Sequence, residues 1–171
     1  MSTTRRVAGI VGGLLVLLVV FAGGYLAGRT GAGSVVDPAS LPEAERQFIE
    51  RMTGASLVGR FTIAGREDRP ARPERYDLSS VEKVGEDLWR FNARLRYGDV
   101  DTTLPIVVPM RFAGDTPMIS ITDLTIPTLG TFTARVFFQG DRYSGTWQHG
   151  EYGGHMFGKI EKNTEEFGIR N

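Results

Sequence analysis

His149, Glu151 and His155 form H-x-E-x-x-x-H, the one place where imidazoles and a carboxylate gather in this 171-residue chain. Three such ligands and a water would make an open zinc site of the hydrolytic kind. The spacing differs from the helical H-E-x-x-H motif, however, and Gly150, Gly153 and Gly154 set the two histidines around a turn. Exposed turn histidines are the plainer reading. No other catalytic set is present. Cysteine is absent, which removes disulfides, thiolate metal sites and cysteine nucleophiles. No serine occupies a G-x-S-x-G elbow. Asp99, Asp115 and Asp141 each follow a glycine, where turn chemistry alone accounts for them. Outside that hairpin a non-catalytic protein without a cofactor is expected.

Arg66, Arg69, Arg72 and Arg75 punctuate residues 65–76 (GREDRPARPERY) around Pro70 and Pro73, and such a cluster could grip an anionic headgroup. Glu67, Asp68 and Glu74 cancel much of that charge, so a solvated, extended loop is expected there. Over the whole chain twenty basic side chains balance twenty acidic ones. Without excess positive charge there is no counterion-release drive toward nucleic acid, and none is expected as a partner.

From about residue 55 apolar positions alternate with polar ones, as in Trp89, Phe91, Ala93, Leu95 and Tyr97, and again in Leu104, Ile106, Val108, Met110 and Phe112. A period of two marks strands with one buried and one wetted face. Gly98-Asp99 and Gly140-Asp141 sit where two-residue hairpin loops belong. The first turn would pair Trp89 with Val108, Phe91 with Ile106 and Ala93 with Leu104; the second would pair Phe138 with Tyr143 and Ala134 with Trp147. Every pair joins two inward residues, as a correct register must. Pro105 and Pro109 would remove donors from the other flank of their strand, which should therefore be an edge or pair irregularly. A phase change around Thr122-Asp123 predicts a bulge. The expected fold is mainly β: an antiparallel meander of about 7–8 strands over residues 55–162, forming a small barrel or strongly curved sheet, with a sandwich as the alternative. Phe61, Tyr76, Trp89, Phe91, Phe132 and Trp147 all point inward in this scheme. They either fill the core or line a cavity for an apolar, lipid-like ligand, as in calycin-like barrels.

The elements before the strands set where such a domain would sit. Residues 7–27 carry no charge and are long enough, as a helix, to cross a bilayer. Arg5 and Arg6 precede them, so a cytoplasmic stretch 1–6, a single transmembrane helix 7–27 and an extracytoplasmic body at the plasma (inner) membrane are expected. Gly9 and Gly13, and Gly24 and Gly28, have the four-residue spacing that lets two membrane helices approach, offering a homodimer contact. Residues 28–40 read as a linker, 41–54 as a short amphipathic helix capped by Ser40 and Glu43, and 163–171 as a tail.

Residues 143–154 (YSGTWQHGEYGG) resemble one MORN repeat, Y-x-G-x-W-x-x-G-x-x-x-G, although Met156 stands where that family has glycine. The resemblance covers one hairpin and implies only glycines that permit tight turns. As a whole the chain resembles uncharacterised N-terminally anchored bacterial envelope proteins with a β-rich domain, a likeness that implies no activity. Three functions are consistent with these residues. The first is a non-catalytic binding or scaffolding module for an envelope protein, the second a barrel for an apolar small molecule, and the third a metal-dependent hydrolase using the histidine hairpin.

Overall fold

Alternating residues and glycine turns wind the chain into a closed barrel. The computed structural model describes residues 34–162. After a 3-10 turn at Pro38–Ser40 comes one helix, α1 (Glu43–Met52). The strands are β1 (Ala55–Phe61), β2 (Arg72–Lys83), β3 (Leu88–Tyr97), β4 (Val100–Ala113), β5 (Thr116–Ile126), β6 (Gly130–Gln139), β7 (Arg142–His149) and β8 (Tyr152–Lys162). Each pairs antiparallel with the next and β8 returns to β1, which settles the choice between barrel and sandwich. Among the described residues no helix is long and apolar enough to cross a membrane. Segment 7–27, with Gly9, Gly13, Gly24 and Gly28, and the tail 163–171 lie outside the described residues.

Both hairpin registers are as the turns require: Trp89 faces Val108, Phe91 faces Ile106, Phe138 faces Tyr143 and Ala134 faces Trp147. The flank carrying Pro105 and Pro109 behaves as two missing donors dictate. β4 pairs with β5 only through Met110, Arg111, Phe112 and Ala113, and the ladder stops where Pro109 would have to donate. Beyond that point Arg135 donates to the Ile121 carbonyl and, at 2.9 Å, to Thr122 Oγ1. The register shift in β5 falls between Ile121 and Leu124, with Asp123 at a φ of 51°. A second shift, between Leu78 and Ser80 in β2, had no turn residue to announce it.

α1 starts later than expected. Ser40 closes the 3-10 turn and bonds the Asp37 carbonyl at 2.7 Å, so the Ser40–Glu43 capping box does not form. The cause is Pro42, whose ring forces the preceding residue out of the helical region; Leu41 is extended at φ −81° and ψ 153°. The helix seals one end of the barrel with its apolar stripe. Phe48, 1% exposed, presents its ring to Trp89, Phe91, Phe112 and Phe138 with centroids 5.4–6.3 Å away. Polar ties hold it there: Lys83 Nζ reaches Glu45 at 2.7 Å, and Lys162 Nζ donates to the Glu50 and Thr53 carbonyls at the helix C-terminus.

Candidate functional site

The inward face divides into two halves. At the plugged end Trp89, Phe91, Val108, Met110, Val136 and Phe138 are buried against Phe48. At the other end no helix among the described residues covers the mouth, and Phe61, Leu104, Ile106, Phe132, Trp147 and Met156 remain half-buried although their register turns them inward. Phe61 and Trp147 meet edge to face at 5.6 Å. The six aromatics expected to act together therefore separate. Trp89 and Phe91 fill the core and Tyr76 packs against it, while Phe61, Phe132 and Trp147 face the open half. Trp147 Nε1 is buried without a hydrogen-bond partner among the described residues, an available donor within this apolar lining.

The most unusual group is Glu74. Its neighbours suggested a solvated loop, yet it lies in β2, 4% exposed, with its carboxylate inside the barrel. Tyr143 donates to Oε1 and Tyr76 to Oε2, each at 2.8 Å. The Tyr143 bond crosses from β7 to β2 because the intervening positions in the same row, Gly158 and Gly59, have no side chains. Tyr97 completes the row beside Glu74, its ring 6.4 Å from that of Tyr76. No ion pair to Glu74 occurs among the described residues, whereas the outward Asp77 accepts from Arg75, Arg96 and Ser56.

Burial raises the Glu74 carboxyl above the ordinary carboxylate range, and the two tyrosine bonds offset only part of that rise. Burial first, and then the neighbouring Glu74, push the Tyr143 and Tyr76 hydroxyls upward, so both stay protonated donors. The folded barrel thus holds the Glu74 proton more tightly than the unfolded chain does. Its contribution is fully present below the unfolded pKa and is lost as pH rises through the folded value. Glu74→Gln keeps the shape but not the charge. Chemical unfolding of the two proteins should give increasingly favourable differences for the variant as pH rises above about 4. A pH-independent difference would show that the carboxyl does not titrate in this range.

The histidine hairpin places its members apart. His149 sits on the lip of the mouth, stacked on Phe132 at 4.3 Å, whereas His155, paired with Thr146, faces outward. Glu151 is in the turn between them. Among the described residues no group of three His, Cys, Asp or Glu is arranged to hold a metal ion. Glu74 was missed because the arginines around it dominate the local composition. Its parity with Tyr76 and Leu78 was the available signal.

Fold and site together define an up-and-down eight-stranded barrel, plugged at one end, with an apolar mouth and a buried carboxyl–tyrosine cluster. No family model, curated protein or solved structure matches this chain.

Proposed function

We propose that the barrel is a non-catalytic binding module that receives a small molecule with an apolar body in its open half. One observation carries this reading: beyond the Phe48 plug, inward apolar side chains stay only partly buried within a closed sheet. Large inward residues that merely filled a core would be covered. Trp147 Nε1 and the Glu74 cluster give such a ligand polar groups to meet. In this proposal residues 7–27 tether the module beside a bilayer, with the barrel on the extracytoplasmic side.

The unit Val35–Asn171, compact by itself, is suited to the test. N-phenyl-1-naphthylamine, an uncharged apolar probe, should bind saturably with a rise in its fluorescence. Phe61→Ala should weaken binding about tenfold, corresponding to about 1.4 kcal/mol of lost contact. Trp89→Phe, in the plugged half, should change affinity little. No saturable signal, or an affinity indifferent to Phe61, refutes the reading.

The scaffolding reading has support of its own on the outside of the barrel, where Phe137 and Phe157 are 44% and 47% exposed.

A further inference from the structure

Phe137 and Phe157 are not scattered. The register places Met118, Phe137, Ser144, Phe157 and Arg60 in one outward row across β5, β6, β7, β8 and β1. Two strand spacings separate the phenylalanines by about 10 Å, and the small Ser144 between them leaves both rings uncovered. The neighbouring row toward the plugged end is Gln139, Arg142, Lys159 and Val58. The row on the other side is Ser120, Arg135, Thr146 and His155. These three rows contain no aspartate or glutamate. Arg142 has a side chain 79% exposed, and Arg60 and Lys159 are exposed too. The bordering carboxylates include Asp141, 3.6 Å from Arg142 in its turn, Glu161, two residues beyond Lys159, and Asp99 and Asp101, which share a shallow groove with Arg60, Phe157 and Lys159.

An exposed apolar residue needs no explanation when it stands singly. Two aromatic rings in one row, flanked by Arg60, Arg142 and Lys159 and with acids only beyond the three rows, are a different case. They project from the convex wall of a barrel, which suits a flat, deformable partner better than a folded protein that must supply matching pockets. We propose that this face docks on an anionic bilayer surface. Phe137 and Phe157 enter the headgroup region while Arg60, Arg142 and Lys159 meet lipid phosphates. The proposal stands on the outer wall alone and is independent of ligand binding inside.

The chain has no cysteine, so Ser144→Cys in the full-length protein carries a single nitroxide between the two rings. The labelled protein is placed in nanodiscs of phosphatidylcholine, with or without phosphatidylglycerol. Collisions with a water-soluble nickel reagent should fall roughly tenfold in the anionic discs, and high salt should restore them. Arg142→Glu with Lys159→Glu, and separately Phe137→Ser with Phe157→Ser, should each abolish the protection while circular dichroism shows the barrel intact. Equal accessibility in both lipids overturns the proposal. So does equal protection by soluble polyglutamate, which would reassign the face to an acidic protein.

Discussion

Phe48→Ala should destabilise the barrel by about 3–5 kcal/mol, the usual cost of emptying a phenylalanine site in a core. That is a large share of the roughly 5–15 kcal/mol that holds a typical domain folded. The ring is 1% exposed and meets four other aromatic rings from three strands. Those neighbours belong to a closed sheet and cannot collapse inward to fill the space. A ten-residue helix does not persist alone in water, so losing its main anchor also loosens α1. The remaining ties are Met52, fully buried in the same core, and the polar, partly solvated contacts of Lys83 to Glu45 and Lys162 to the last carbonyls. Urea unfolding of Val35–Asn171 measures the loss, and Trp89 emission should shift red as its covering ring disappears. Ile49, only partly buried, is the comparison; Ile49→Ala should cost distinctly less. If Phe48→Ala costs under about 1 kcal/mol, the plug does not hold the barrel closed.

How far the fold could be read from the sequence follows from how local its causes are. Gly98-Asp99 and Gly140-Asp141 set registers through turn geometry a few bonds long, and alternation confirmed them, so β3–β4 and β6–β7 were legible residue by residue. Pro105 and Pro109 were legible for the same reason, because a missing N–H acts on its own flank. Closure was legible only as a choice between a barrel and a strongly curved sheet, and its register was not legible at all. The β1–β8 pairing joins segments about a hundred residues apart, with no turn between them to betray it. At Ser40 two local rules conflicted, and the steric demand of Pro42 on Leu41 overrode the capping preference. The site was less legible than the fold. A carboxylate among arginines reads as solvated until the row through Gly59 and Gly158 shows what Tyr143 reaches. The histidines failed to converge because the hairpin pairs His149 with Tyr152 and His155 with Thr146, which puts the two rings on opposite faces of the sheet.

That row makes Gly59→Ala the second severe substitution. A β-carbon there would lie 2.2 Å from the Tyr143 hydroxyl oxygen, 2.3 Å from the Phe157 carbonyl oxygen and 2.9 Å from the Gly158 Cα. Side chains can swing away, but two of these three contacts are backbone of the paired strand β8. Overpacking of this kind costs about 1–3 kcal/mol. Displacing Tyr143 also breaks its bond to Glu74, leaving a buried carboxylate with one donor, and that adds about 1–3 kcal/mol. The two terms are separable. Tyr143→Phe removes the hydroxyl and the bond together but none of the backbone contact. In the Tyr143→Phe background Gly59→Ala should therefore cost less than in the wild type, while still costing something from Phe157 and Gly158. A double-mutant cycle in urea gives both numbers. Strict additivity would show that Gly59 does not act by clearing the path for Tyr143, and the glycine row would then be a feature of strand packing alone.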